Sequence, residues 1–283
     1  MSLGTLIDLD AYRRRIADEG PLTPTLATLA RFVKRHAETI PFENIDVLAG
    51  RVPRLDPASL QAKLVQQRRG GYCFEQNGLF LAVLRQIGFV VRGLEARVRS
   101  GVPAEVVTAR THMALSVTLE GVAHHADVGF GALAPTAPLR AAERGAQRDG
   151  VDAYRFTEAG VDRMLQIQTP DGWSDCYRIG PTEPAPIDYE VGNWFVATYP
   201  SAMLRHNLLM GRAVPGGRLA LFNRTLTLRR GVAQPLEQRL LTTRAEFAAV
   251  FAEDFGLEIA AADLEAVMAV IERQAAPVPA AAR

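Results

Sequence analysis

The chain has 283 residues, of which 48% are hydrophobic, and its 32 Lys and Arg residues nearly balance its 31 Asp and Glu residues. This composition supplies enough apolar material for a substantial core, and the length favours about two domains. The net charge of +1 provides no strong field of one sign, which argues against nonspecific binding to nucleic acid or to an anionic membrane surface.

The cysteine content and the N-terminal segment predict a cellular location. Two cysteines, Cys73 and Cys176, cannot form a disulfide framework. The first 20 residues lack the apolar run of a signal peptide, and no stretch reaches the ~20 apolar residues that span a bilayer. We therefore expect free thiols and a cytoplasmic protein. Because no pair of histidines has zinc-ligand spacing, no bound metal is expected.

Residues 1–88 are predicted to form a helical domain. Thr23 can cap a helix that Pro24 opens, since proline at the first helical position loses no hydrogen bond. A second helix is predicted from about Cys73 to Ile87, and Gly88 is a suitable residue for its end.

Residues 89–200 are predicted to form a β-rich domain, because the apolar period changes there from 3.6 to 2. Residues 112–119 alternate between apolar and polar positions, Glu120-Gly121 marks a turn, and the chain returns over 122–130. Several strands in succession without helices between them favour an antiparallel barrel or sandwich.

Four further segments complete the predicted organisation. The Ala- and Arg-rich residues 137–150 suggest a surface loop, and Met164–Gln168 with Trp173–Ile179 suggests a second hairpin. The proline-rich residues 180–188 suggest a connector. Residues 201–283 return to mixed helix and strand, with a frayed end predicted for the last residues.

The segment Arg68–Asn77 (RRGGYCFEQN) carries the strongest chemical signal. Two glycines precede Cys73, which opens a predicted helix. The partial positive charge and free N–H groups of a helix N-terminus favour a thiolate, the reactive form of cysteine, and could hold an oxyanion. The alternative interpretation is a buried cysteine at a tight turn.

His112 and Asp127 are the predicted partners of this thiol. A two-residue turn near Gly121 makes the numbers of paired residues sum to an odd number, as 112 and 127 do, so both side chains project from one face of the hairpin. A Cys–His–Asp triad requires such a pair. The alternatives are an ordinary strand histidine and a turn or ion-pair carboxylate. His125 lies on the same face and is a rival base, although we expect it to be structural or exposed.

Taken together, the motifs resemble those of the arylamine N-acetyltransferase family. Besides the cysteine segment, the shared motifs are Ile40–Asn44 (IPFEN), Thr111-His112, Ala126–Gly131 (ADVGFG), Asp188–Trp194 (DYEVGNW) and Leu221–Arg224 (LFNR). They occur in family order over most of the chain. One departure is Tyr199–Ala202 (YPSA), where relatives often carry a His-Pro run.

The resemblance implies an α+β fold of three parts, with a Cys–His–Asp core like that of cysteine proteases. These parts are a helical bundle over 1–88, an antiparallel β-barrel over 89–200 and a C-terminal α/β lid over 201–283. It also implies catalytic and binding residues: a triad of Cys73, His112 and Asp127; CoA contacts from Thr111, Gly129 and Phe130; and an apolar acceptor pocket of Phe42, Val98, Phe130 and Phe222.

The implied activity is acetyl transfer from acetyl-CoA to an arylamine, arylhydrazine or related amine, by a ping-pong reaction through an acetyl-cysteine. The expected partners are CoA and a small aromatic amine or hydrazine, without nucleic acid or membrane, and a homo-oligomer is left open. Three alternatives are an amide synthase that closes a macrolactam on the same scaffold, a cysteine hydrolase or transglutaminase-like enzyme, and a non-catalytic module that binds CoA.

Overall fold

The structure, a computed structural model, describes residues 6–275. The last residues of the chain were predicted to be frayed, and from residue 276 onwards they lie outside this range. Eight α-helices are described, two of them continuing into π-helical turns at Gln61–Gln66 and Val250–Asp254. The helices are α1 Leu9–Arg15, α2 Leu26–Thr39, α3 Ile45–Leu48, α4 Pro57–Leu60, α5 Cys73–Ile87, α6 Pro186–Thr198, α7 Arg244–Ala249 and α8 Ala261–Ala275.

The described residues also form thirteen strands, which assemble into two antiparallel sheets. The strands are β1 Phe42–Glu43, β2 Val90–Val98, β3 Arg110–Leu119, β4 Val122–Ala126, β5 Leu139–Arg140, β6 Gln147–Arg148, β7 Ala153–Ala159, β8 Asp162–Thr169, β9 Gly172–Ile179, β10 Leu209–Val214, β11 Gly217–Phe222, β12 Thr225–Arg229 and β13 Glu237–Leu240. An eight-stranded, barrel-like sheet has the order β5-β4-β3-β2-β9-β8-β7-β6, and a five-stranded sheet has the order β1-β10-β11-β12-β13.

Three apolar clusters form the core. The first joins α1, α2 and α5 to the face of β3 that carries Met113, Leu115 and Val117. The second lies between the five-stranded sheet and the helices α7 and α8. The third fills the inside of the barrel-like sheet and includes Tyr177 and Cys176. Because β3 is buried on both faces, it is the strand that joins the helical part to the barrel-like sheet.

The predicted nucleophile helix is confirmed at both ends. It begins at Cys73 and ends at Gly88, whose backbone has a φ of +102° and so adopts the left-handed conformation that favours glycine. The predicted hairpins also form, with Leu115 opposite Ala126 in the first and Gln168 opposite Trp173 in the second.

The predicted start of the first helix is wrong by two residues. The helix begins at Leu26, and the cap is Thr25, whose extended backbone lets its hydroxyl accept a hydrogen bond from the Thr28 N–H. Thr23 and Pro24 therefore lie before the helix rather than at its start.

Two predicted loops contain regular structure. Helix α6 begins inside the predicted connector, because Pro186 occupies a position where no N–H is needed and the Asp188 carboxylate accepts from the Ala185 N–H. In the predicted surface loop, Leu139 is buried and pairs with His125 as part of β5. The amino-acid composition of these two segments does not reveal either the helix start or the strand pairing.

Within residues 6–275, no helix has the length and apolar character needed to cross a membrane.

Candidate active site

Cys73 lies at the first position of α5 with only 6% of its surface exposed. The side chain of Glu75 reaches back and accepts a hydrogen bond from the Tyr72 N–H at 3.1 Å. The carboxylate thereby satisfies one of the backbone donors at this helix N-terminus.

Buried polar side chains hold the segment before Cys73 in place. The Gln76 amide donates to the carbonyl oxygens of Pro41 at 2.8 Å and Gly71 at 3.2 Å. The buried Arg15 donates to the carbonyl oxygen of Arg68 at 3.2 Å. Side chains of α5 and α1 thus fix the backbone that leads to Cys73.

A cluster of seven charged side chains lies behind this segment. Lys63 contacts both Glu75 and Asp46 at 2.6 Å, and Arg69 contacts Glu43 at 2.8 Å. Burial raises the pKa of Glu75 to about 7, although the adjacent Lys63 opposes this shift. The remaining members are Arg51 and Asp263 of α8. The cluster connects the cysteine segment to the last described helix.

His112 and Asp127 form a buried pair. The His112 Nε2 lies 2.8 Å from the Asp127 Oδ2, and both residues are at most 1% exposed. Burial alone would lower the pKa of His112, but the charge and hydrogen bond of Asp127 and a hydrogen bond with Cys73 raise it to about 10. Burial alone would raise the pKa of Asp127, and the attraction to His112 lowers it to about 2. The predicted contact across the hairpin is therefore confirmed.

The thiol of Cys73 lies against the start of β3. Its Sγ is 3.5 Å from the Thr111 carbonyl oxygen, and the interaction with Cys73 contributes to the raised pKa of His112. Because the Nε2 of His112 is engaged by Asp127, the Nδ1 is the nitrogen available to the sulfur. The structure thus places Cys73 beside the hydrogen-bonded pair of His112 and Asp127.

Four donors surround the Asp127 carboxylate. Oδ2 accepts from His112 and from the Tyr177 hydroxyl at 2.7 Å, and Oδ1 accepts from the Asn77 amide and the Gly129 N–H, both at 2.8 Å. Ionised carboxylates are acceptors only, so this environment stabilises the charged form.

Sequence reasoning missed two of these donors. Asn77 follows Cys73 by four residues and so projects from the same side of α5, a signal that could have identified it. Tyr177 comes from β9, and only the pairing of Val98 with Tyr177 shows that it shares the inner face with His112. Nothing local in the sequence indicates that pairing.

Gly129 packs directly on α5, the helix that begins at Cys73. A Cβ at this position would lie 2.8 Å from the Cys73 Cα and 2.7 Å from the Asn77 amide nitrogen. Only glycine permits this approach, which lets residues 127–129 reach the helix. A role in binding CoA stays a prediction for Gly129, and also for Thr111, which lines a cleft of about 230 Å³ beside α6.

Three predicted pocket residues lie near the triad. The Phe130 ring is half-buried, with its centre 4.9 Å from that of His112. Phe42 forms a bridge with Gly71, two residues before the cysteine. Val98 pairs with Tyr177 at the end of β2.

Phe222 is 51% exposed at the end of β11. The register of β1, β10 and β11 places it on the same face of the five-stranded sheet as Phe42. On that face a Cβ at Gly211 would lie 2.4 Å from the Ala132 nitrogen. The segment after Asp127 therefore passes over this face, and an acceptor site between Phe42, Phe130 and Phe222 stays a prediction.

Among residues 6–275, no group of three His, Cys, Asp or Glu side chains is arranged to hold a metal ion.

Comparison with known proteins gives a consistent result. A family model described as N-acetyltransferase matches residues 25–264. The arylamine N-acetyltransferase of Escherichia coli K12 is 42% identical over 253 residues, 89% of each chain. The arylamine N-acetyltransferase / N-hydroxyarylamine O-acetyltransferase of Salmonella typhimurium is 41% identical over 76% of each chain. The Mycobacterium marinum arylamine N-acetyltransferase solved in complex with CoA superposes with a TM-score of 0.88 at 35% identity, covering 94% of this chain and 99% of its own.

Proposed function

The chain belongs to the arylamine N-acetyltransferase family. We therefore propose that the acetyl group of acetyl-CoA is transferred to the amine through a thioester on Cys73. The protein is an acyltransferase that transfers acetyl from acetyl-CoA to arylamines. The observation that carries the proposed mechanism is the buried hydrogen bond between His112 and Asp127, beside the Cys73 Sγ that lies 3.5 Å from the carbonyl oxygen of the adjacent Thr111. A thiol beside an imidazole that a carboxylate orients is the arrangement that nucleophilic acyl transfer requires.

In the first half-reaction the thiolate of Cys73 attacks the thioester carbonyl carbon of acetyl-CoA. His112, whose pKa is raised in favour of the protonated ring, accepts the proton of the thiol. Backbone N–H groups of the first turn of α5 stabilise the oxyanion. When the C–S bond to CoA breaks, the CoA thiolate takes the proton from His112 and leaves, and the acetyl group remains on Cys73.

In the second half-reaction the amine nitrogen attacks the acetyl carbon on Cys73. His112, now neutral, accepts the excess proton of the nitrogen, and the C–S bond to Cys73 breaks. The sulfur leaves as a thiolate and the ion pair with His112 is restored. Exchange of one thioester for another is nearly even in energy, so the acetyl-enzyme stays reactive enough to acetylate an amine. One site serves both substrates in turn, which predicts ping-pong kinetics.

The binding regions are part of the same proposal. CoA contacts Thr111, Gly129 and Phe130; of these, Thr111 lines the cleft beside α6, and its carbonyl oxygen lies 3.5 Å from the Cys73 Sγ. The acceptor ring lies among Phe42, Val98, Phe130 and Phe222, since an apolar site suits an aromatic ring and keeps water from the thioester. The division into a helical bundle, a barrel and a C-terminal lid at residues 88 and 200 remains a proposal as well.

A cytoplasmic location completes the proposal. Cys73 and Cys176 are both free, and a nucleophilic thiol is kept active in a reducing compartment, where oxidation is reversed.

The decisive experiment is intact-mass measurement after acetyl-CoA is added in the absence of an amine. We expect one acetyl group, located on Cys73 by peptide mapping, and no adduct in Cys73→Ala. The matched control is Cys176→Ala, because this second thiol is fully buried inside the barrel-like sheet and its variant should still be acetylated. An unmodified wild-type protein, or an acetyl group elsewhere, would contradict the mechanism.

The same preparation separates the alternatives. Addition of an arylamine should release N-acetylarylamine and regenerate the free thiol. A cysteine hydrolase would release acetate without an amine. An amide synthase would leave a standalone arylamine unmodified, and a non-catalytic module would bind CoA without any adduct.

A further inference from the structure

His125 is a buried polar side chain that the proposed mechanism does not use. It lies on β4, two residues before Asp127, with 1% of its surface exposed. It is neither exposed nor in a position to act as a rival base, because its Nε2 contacts the Tyr177 hydroxyl at 2.7 Å. Its ring packs edge-on against Phe156, with ring centres 5.6 Å apart.

The hydrogen-bond pattern fixes the protons of this group. Asp127 is ionised and can only accept, so the single hydroxyl proton of Tyr177 points to its Oδ2. The Tyr177 oxygen must then accept from His125, which places the proton of His125 on Nε2. Burial lowers the pKa of His125 to about 4, so the ring is neutral and its Nδ1 carries no proton.

The Nδ1 of His125 has no hydrogen-bond partner among the described residues. Burying an unpaired acceptor costs stability, and an apolar side chain in this pocket would avoid that cost. A contribution to the neighbouring triad gives a reason for histidine at this position.

We propose that His125 is a positioning residue that acts through Tyr177 to limit how strongly Asp127 holds the proton on His112. The inference rests on the proposed function of Cys73, His112 and Asp127.

The competition for one oxygen atom is the physical basis. His112 and Tyr177 both donate to Oδ2 of Asp127. A hydrogen bond received from His125 makes the Tyr177 hydroxyl a stronger donor, because successive hydrogen bonds polarise one another. Stronger donation from Tyr177 reduces the basicity of Asp127 and so its hold on the imidazolium. His112 can then serve as a base when the amine attacks.

The charged and titratable groups around His125, Tyr177 and Asp127 come from six parts of the fold. They are Cys73 of α5, His112 of β3, Tyr154 of β7, Arg163 of β8, Cys176 of β9 beside Tyr177 itself, and Asp127 after β4. Arg163 and His112 both lower the pKa of His125 and help to keep it neutral. Since a neutral His125 donates one hydrogen bond, its effect on Tyr177 does not require its own titration.

The test measures the second half-reaction of His125→Leu and His125→Gln. Acetyl-enzyme is isolated and mixed with an arylamine across a pH range, because its deacetylation rate follows the deprotonation of His112. We expect His125→Leu to raise the apparent pKa of this rate profile by about half a pH unit. At neutral pH the transfer should then be about threefold slower than in wild type. His125→Gln keeps a donor at similar reach and should restore the wild-type profile.

A double-mutant cycle tests the route through Tyr177. Tyr177→Phe removes the hydroxyl, so adding His125→Leu to it should cause no additional shift. Thermal unfolding should show His125→Leu to be as stable as wild type or more stable. Identical pH profiles for wild type and His125→Leu, a shift that persists in the Tyr177→Phe background, or no rescue by His125→Gln would overturn the proposal.

The acetylation of Cys73 in each variant keeps this test separate from that of the proposed function. If wild-type Cys73 is acetylated and the profiles coincide, only the role of His125 fails. If wild-type Cys73 is never acetylated, the function on which the inference rests fails instead.

Discussion

The Asp127 carboxylate receives four hydrogen bonds, and this number explains why a buried acid stays charged. Two come from side chains of the barrel-like sheet, one from the amide of Asn77 in α5 and one from the backbone of Gly129. The group that orients His112 is thus itself held from three directions. The position of the Asp127 carboxylate is therefore fixed by several elements of the fold.

Replacement of this carboxylate should reduce turnover while leaving a folded protein. Asp127→Asn presents an amide to donors and cannot stabilise the imidazolium, so we expect acetyl transfer to fall by about 10³- to 10⁴-fold. Steady-state arylamine acetylation measures the loss, and circular dichroism checks the fold. Asp171→Asn, in the turn between β8 and β9, is the matched control. Wild-type turnover in Asp127→Asn would exclude the proposed role.

The stability of the protein should decrease at alkaline pH. The pKa of His112 in the folded chain is raised from 6.5 to about 10, so its charged form stabilises the fold below about pH 6.5 and that contribution is lost as pH rises towards 10. We expect a loss of a few kcal/mol over this window in denaturant unfolding. At acidic pH the low pKa of Asp127 has the corresponding effect. The ionised carboxylate stabilises the fold above about pH 4, and this contribution to stability is lost as pH falls from about 4 to 2.

His112→Gln provides the control for this pH dependence. It should flatten the alkaline slope, whereas a contribution from any other group would persist. A slope equal to that of wild type would assign the effect to those other groups.

At the residue scale, the sequence predicts the triad contact but not its surroundings. His112 and Asp127 lie on one hairpin, so their shared face follows from the period of the strand and one turn. Tyr177 is 50 residues beyond Asp127 and reaches it only because β9 pairs with β2. His125 was expected to be structural or exposed, and its burial depends on side chains from β7 and β9 that no local pattern reveals.

At the scale of elements, helix α5 shows why some boundaries can be predicted. Gly88 ends it in a conformation that other residues adopt only with strain, and Cys73 begins it directly after Gly70, Gly71 and Tyr72. The start of α2 was predicted two residues early because both Thr23 and Thr25 can cap a helix. The choice between them depends on the path of the preceding chain.

Gly88→Ala should weaken the end of α5 without changing the chemistry. A Cβ at a φ of +102° is strained, and we expect a loss of about 1 kcal/mol in denaturant unfolding. Gly88→Asn, which tolerates the left-handed region better, should lose less. Acetylation of Cys73, at the opposite end of the helix, should be unchanged in both. Full stability of Gly88→Ala would contradict the assigned cap.

At the scale of the whole molecule, buried charges join the two sheets. Arg218 of β11 contacts Asp149 and Asp152, which lie between β6 and β7, and Arg229 of β12 also contacts Asp152. Arg218 is 3% exposed and the two acids are buried, at least in their side chains. The relative position of the barrel-like sheet and the five-stranded sheet therefore depends on ion pairs as well as apolar packing.

Arg218→Met should destabilise the protein strongly, because it leaves Asp149 without its cation in a buried place. We expect a loss of about 3 to 5 kcal/mol in denaturant unfolding. Arg144→Met is the matched control, since Arg144 and its partner Glu158 are largely exposed and such a pair contributes little. Equal stability of the two variants would show that the buried network adds nothing.

The change from helices to strands was predictable, whereas these connections between the two sheets were not. A change of apolar period marks where helices give way to strands near residue 89. By contrast, β1 is a two-residue strand inside the helical part that pairs with β10, more than 160 positions later. No periodicity could reveal a strand of that length.

The hydrogen bond from Asn77 to Asp127 joins the helix that carries the sulfur to the hairpin that carries the imidazole. In the proposed mechanism Cys73 is activated by His112, so enhanced alkylation of Cys73 should appear only when these two pieces dock. During refolding from denaturant, a pulse of iodoacetamide would then time the assembly of the catalytic centre, independently of the helix content that far-ultraviolet spectroscopy records.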